Sequence, residues 1–158
     1  MTSIDAIYSI SKAASTMEDL SAFASTVGDF LAASGSSEVQ LTLVNTATGN
    51  VAQFSRRESD QPMNGLVIAR DLVVRGSRYG RMELKFVESS ATHLLFADIV
   101  ASQLARFAEL QSEQTQQEQI ANFLQKSASE LAARKLLARA SGLFTTRKAP
   151  FPGRRAAA

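Results

Sequence analysis

The residues able to do chemistry in this chain are few. There is one histidine, His93, and no cysteine in 158 residues. Disulfides, thiolate nucleophiles, thiol-linked chromophores and cysteine-based zinc or iron–sulfur sites are therefore excluded together. A lone histidine without thiol partners lacks the usual set for a metal or haem, so His93 reads as a residue at a helix start. Asp5, Asp19, Glu38, Glu58, Asp60, Asp71 and Glu83 supply carboxylates. None stands beside a nucleophile, a histidine or a glycine-rich phosphate loop. The expectation is a protein that is not an enzyme, with no catalytic residue, no metal and no cofactor.

Charge offers a second kind of chemistry. The formal net charge is +2, but Arg147, Lys148, Arg154 and Arg155 stand in the last fourteen residues without an acid, so residues 1–144 carry −2. The basicity belongs to the C-terminal stretch, where Arg134, Lys135, Arg139, Arg147, Lys148, Arg154 and Arg155 are candidate contacts for nucleic-acid phosphates. The stretch has no stacking array of aromatics, and 145–158 reads as a disordered basic tail. Arg56, Arg57, Arg70, Arg75, Arg78 and Arg81 are scattered over strands and loops and are assigned to no site.

The element that must position these groups is a helix predicted over about Thr92 to Phe144. This stretch has no proline, no glycine before Gly142, and is rich in Ala, Leu, Gln, Glu, Arg and Lys, which lose least on entering a helix. At 1.5 Å per residue it would reach roughly 80 Å, more than a small domain can cover. Heptads counted with Val100 at a place Phe107, Gln114, Ala121 and Ala128 at a, and Leu110, Gln117, Leu124 and Leu131 at d. That pattern predicts a parallel coiled-coil homodimer with those eight residues as its seam, polar in the middle where Gln111 to Gln119 carries no apolar residue. A long solvated helix folding back on its own domain is the other reading.

Ahead of the helix, Ser3 to about Ser15 reads as a short amphipathic helix, and Thr16 to Asp19 has the form of a capping box opening a second. Its apolar face is Leu20, Phe23, Ala24, Val27, Phe30 and Leu31. Four strands follow, at Glu38–Asn45, Val51–Ser55, Gly65–Val74 and Arg78–Val87, with turns at Thr48-Gly49-Asn50 and Arg75-Gly76-Ser77. Arg56 to Asn64 reads as a loop, and Gly80 as a bulge or a close backbone approach. Leu94, Leu95, Ile99 and Val100 are expected to cover the sheet. The order predicts an α+β fold, an antiparallel sheet of four or more strands flanked by helices from both ends. No apolar run approaches the roughly 20 residues of a membrane span, and Met1 to Ile10 has no basic start and no apolar core of signal-peptide type. A cytoplasmic protein without a membrane partner is expected.

The second helix, the hairpin EVQLTLVNTATGNVAQF and above all LVVRGSRYGRMELKF resemble a GAF domain, the sensory relative of the PAS fold. The resemblance implies a minimal GAF-like domain at 16–110; the periodicities on either side of it add an N-terminal dimerisation helix at 1–15 and a coiled-coil, ANTAR-like helix at 111–144. The short Arg56–Asn64 connection departs from ligand-holding members, which usually have more structure there, so a pocket and the identity of any small-molecule ligand stay open. Leu131 to Phe144 resembles the start of an ANTAR domain, the RNA-binding module of bacterial antiterminators, at Arg134, Leu136, Leu137, Ala138, Ala140, Gly142 and Leu143. It departs at Ser141, and the residues from Thr145 do not continue that bundle. Together these resemblances imply a sensory module relaying a signal along its C-terminal helix to transcriptional output. An RNA-binding regulator and a ligand-free assembly scaffold are the alternatives.

Overall fold

In the computed structural model, residues 1–58 and 64–148 are described, the side chains of 143–148 excepted. Three helices and four strands follow in the order α1 (Ser3–Thr16), α2 (Leu20–Ala33), β1 (Glu38–Val44), β2 (Val51–Arg57), β3 (Leu66–Val74), β4 (Ser77–Phe86) and α3 (Ala91–Lys148). The architecture is α+β, with one antiparallel sheet in the order β2-β1-β4-β3. Among the described residues no helix is long and apolar enough to cross a membrane.

Strand alternation sorts the sheet into two unlike faces. The pairings Leu41↔Phe54, Leu41↔Met82 and Val39↔Leu84↔Ile68 put these residues on one side, where they join a core with Phe23, Val27, Leu31, Phe96, Val100 and Leu104 of the helices. The other side presents Gln40, Gln53, Ser55, Arg57, Val67, Asp71 and Arg81, all exposed. An antiparallel sheet needs only one covered face to be stable, and here α2 and α3 share that one. The strand positions expected from alternation match to within two residues, because one buried face enforces period two.

Two local corrections and one expected irregularity, at Gly80, carry physical reasons. First, α2 opens on Asp19, whose carboxylate accepts from the Ala22 N–H at 2.8 Å, whereas Thr16 closes α1 and turns its hydroxyl back to Lys12. The capping box stands at Thr2 and Asp5 instead. Second, β2 runs on through Arg56 and Arg57, since both pair with β1; of the expected loop, residues 59–63 lie outside those described. Third, β4 carries one extra residue where Leu72 pairs with Gly80 and Val73 with Arg78. Tyr79 is that residue, and the bulge turns its side chain inward to 9% exposure. Gly80 has φ 146°, and a Cβ there would collide with the Thr42 carbonyl oxygen, so the close approach of β4 to β1 needs a glycine. Gly28 serves packing in the same way: the Phe54 ring occupies the space a Cβ would take, which lets α2 lie close on β2.

The chain divides into two units, Met1–Gln116 and Gln117–Ala158. The first contains α1, α2, the sheet and the proximal part of α3; the second contains the distal part of α3.

Candidate functional site

In the first unit α3 buries Phe96, Ala97, Val100, Ala101, Leu104, Ala105, Phe107 and Ala108. Leu94, Leu95 and Ile99 were the residues expected on the sheet beside Val100, but they are 42%, 62% and 37% exposed. The stretch Leu94 to Ala108 is apolar around most of its circumference, so periodicity alone does not fix which side turns inward. Phe107 also departs from a seam role, because its ring stacks on Phe23 at 3.6 Å and it is 4% exposed. Leu110, one turn on, is 47% exposed.

Alongside runs α1, which turns Ala6, Ile10 and Ala13 inward and leaves Ile4 and Tyr8 at 78% and 70% exposure. Gln103 Nε2 of α3 donates to the Ile7 carbonyl at 3.3 Å. A shallow groove of about 190 Å³ follows, lined by Ser11, Ala14, Gln103, Arg106, Phe107 and Leu110. Residue numbers rise together on both helices, so α1 and α3 run parallel here. On their outer side lie Ile4, Tyr8, Leu95, Ile99 and Leu110, more exposed apolar surface than scattered single residues would give. Gln103 Oε1 is buried in this seam without a hydrogen-bond partner.

Near the end of the first unit, α3 is fastened to both hairpin tips by polar groups. Ser112 is 4% exposed; its Oγ accepts from the Thr46 N–H at 3.0 Å and donates to the Ala108 carbonyl at 2.8 Å. Asn45 Nδ2 donates to Thr115 Oγ1 at 2.9 Å. Glu109, with its side chain 3% exposed, receives Arg106 at 2.7 Å and lies 3.8 Å from Arg75, in the turn between β3 and β4. That turn is a two-residue one with φ positive at Arg75 and Gly76, the geometry that matches strand twist in a hairpin. Nothing in the spacing of Ser112 or Glu109 announced this role; the available signal was a small polar residue and a carboxylate on the same side of an otherwise apolar helix.

Of the arginines left unassigned above, Arg57, Arg78 and Arg81 lie on the sheet's outer face. Arg78 lies 3.0 Å and Arg81 3.8 Å from Asp71, Arg81 reaches Glu83 at 3.7 Å, and Arg57 reaches Glu38 at 4.0 Å. Arg70 pairs with Asp98 of α3 at 2.7 Å. These carboxylates neutralise the cations locally, so the face is not an anion site. A concavity of about 380 Å³ between Thr42, Val44, Arg78, Gly80 and Arg81 lies open on it, unlike the enclosed pockets that bury a small ligand. His93 stacks on Phe86 at 3.9 Å, and its Nδ1 donates to the Glu88 carbonyl at 3.1 Å. Both its ring face and one nitrogen are thereby engaged in holding the start of α3.

In the second unit Gln117, Ala121, Leu124, Ala128 and Leu131 are exposed, as are Arg134, Lys135 and Arg139. Leu124 and Leu131 stand at 60% and 54% exposure, and Ile120, Phe123, Leu136 and Leu137 are exposed as well. Gln114, at the end of the first unit, is exposed and engaged in an interaction of its own. Arg147 and Lys148 end α3; Arg154 and Arg155 lie outside the described residues. In comparison with known proteins, the chain matches no family model and no curated relative.

Proposed function

We propose that this chain is a non-enzymatic, homodimeric signal-transduction module of GAF-like type, acting through its helices. The observation that carries the reading is where exposed apolar surface lies. In the first unit it lies on the outer sides of α1 and α3, at Ile4, Tyr8, Leu95, Ile99 and Leu110; in the second it includes the seam positions Leu124 and Leu131. Heptad spacing with small Ala121 and Ala128 between those leucines suits a parallel coiled coil, and the paired α1 and α3 suit a four-helix contact between two copies. Phe107 belongs to the core, so the seam is Leu110, Gln114, Gln117, Ala121, Leu124, Ala128 and Leu131.

In this reading the open sheet face is the input side, where a partner or ligand binds. Both hairpin tips grip α3 at Glu109, Ser112 and Thr115, so a shift of the strands biases the helix where it leaves the domain. Gln114 and Gln117 destabilise any one register and keep two arrangements close in energy. The output is transcriptional, of antitermination type, in keeping with the ANTAR-like residues.

Light scattering tests this directly. The full chain is expected at twice the monomer mass. Replacement of Leu110 and Leu124 by Asp together places charge in the seam and is expected to raise the dissociation constant at least about a hundredfold. A full chain with monomer mass at all attainable concentrations sinks the proposal.

A further inference from the structure

The coiled-coil pattern and the apolar face of α3 part company after Leu131. Continued heptads put Lys135 at a and Ala138 at d, so in a parallel dimer Lys135 would meet its own copy, an unfavourable like-charge pair. The large apolar residues of this stretch, Leu136 and Leu137, fall at b and c. They are 65% and 69% exposed, and with Ala133 and Ala140 they form a face on the side of the helix away from the seam. Arg134 and Arg139 flank this face, each about a third of a turn from its centre, and Lys135 lies opposite. From Leu131 to Gly142 there are three basic residues and no acid. The exposed seam accounts for neither feature.

From this we infer that residues 131–142 form an interfacial helix that lays Leu136 and Leu137 into an anionic phospholipid surface while Arg134 and Arg139 contact the headgroups and Lys135, on the far side, adds its charge to the attraction. The charge selects an anionic surface, worth about fivefold in binding per cation near it. The apolar face selects lipid over nucleic acid, because phosphate contacts alone would leave both leucines in water. Flanking arginines suit this geometry, since their aliphatic stems follow the apolar face and their heads reach the polar layer. The arrangement is surface attachment, consistent with the lack of a spanning helix among the described residues. It exists in a single chain and does not require the dimer.

The test is co-sedimentation of the full chain with phosphatidylcholine vesicles, with and without one-third phosphatidylglycerol. Retention is expected on the anionic vesicles only, falling as salt rises. L136Q/L137Q should weaken it at least about tenfold, and R134Q/K135Q/R139Q about a hundredfold. Both variants change exposed positions in the second unit, so the melting of the first unit and, with Leu136 and Leu137 off the seam, the mass of L136Q/L137Q stay as in the parent. Retention by a chain that proves monomeric would still support the lipid surface while removing the dimer. The inference is overturned by no retention on anionic vesicles, or by L136Q/L137Q binding them as tightly as the parent. Binding of structured RNA that L136Q/L137Q leaves intact, with vesicles ignored, would overturn it in favour of nucleic acid.

Discussion

The two parts of α3 are made of the same residue types and are held in opposite ways. Up to Gln116 the helix is fixed from several directions: Phe107 stacks on Phe23, Leu104 and Val100 are fully buried, and Glu109, Ser112 and Thr115 take polar contacts from both hairpin tips. From Gln117 to Gly142 the residues are exposed, Ser127 being half-buried, and leucines stand in the open. Propensity makes both parts helical, but a helix without tertiary packing is only marginally stable in water. The contrast teaches that helical character and helical stability come from different sources. The distal part has the first and obtains the second from whatever covers it.

Three measurements sharpen this contrast, beginning with the aromatic residues. Phe107→Ala removes a buried ring and should destabilise the first unit by about 3–5 kcal/mol, whereas Phe123→Ala, 68% exposed at an off-seam position, should change it by no more than about 0.5 kcal/mol. Urea unfolding followed by circular dichroism, at a concentration below dimerisation, compares them. Equal effects would mean the distal part is packed as firmly as the proximal one.

A smaller difference is expected between two serines of the same helix. Ser112→Ala leaves the Thr46 N–H without its acceptor and should cost about 1–2 kcal/mol. Hydrogen exchange at Thr46 should rise with it. Ser129→Ala, on the exposed distal surface, should instead slightly raise helicity. Unchanged exchange at Thr46 would remove the hairpin grip on which the relay depends.

The smallest effect concerns α1, the other helix of the apolar surface. Hydrogen bonds from the Thr2 hydroxyl and then the Thr2 backbone hold the Asp5 carboxyl below its ordinary value of 3.8. A carboxylate whose pKa is lowered by folding stabilises the fold above the unfolded value, and that contribution fades as pH falls through the folded one. The melting-temperature gap between the parent and Asp5→Asn should therefore be constant near neutral pH and shrink below pH 3.8. A gap that does not change with pH would show that the cap works through geometry alone.

How legible these features were depended on how local their causes are. The hairpins were readable because Gly49, Gly76 and the alternation around them act within a few residues. The cap of α2 was misplaced by three residues, because Thr16 and Asp19 are both good cap residues and only the end of α1 chooses between them. Tyr79 turned inward because β3 and β4 differ by one residue in register, which no single strand reveals. In the candidate interface, the exposure of Leu110, Leu124 and Leu131 could be read from their spacing. Phe107, with equally good spacing, could not, because the ring opposite it comes from α2.

The sequence by itself determined the order of helices and strands, the single covered face of the sheet, and the helical character of the long C-terminal stretch. Propensity, turn chemistry and alternation each operate over a few neighbours, and those neighbours are written next to one another. Only the tertiary structure decided the rotation of α3 about its own axis. Between Leu94 and Ala108 apolar residues surround the helix, so several orientations bury similar area. The position of the sheet, the Phe23 ring and the two hairpin tips selects the one that buries Phe96, Val100, Leu104 and Phe107 and leaves Leu95, Ile99 and Leu110 outside.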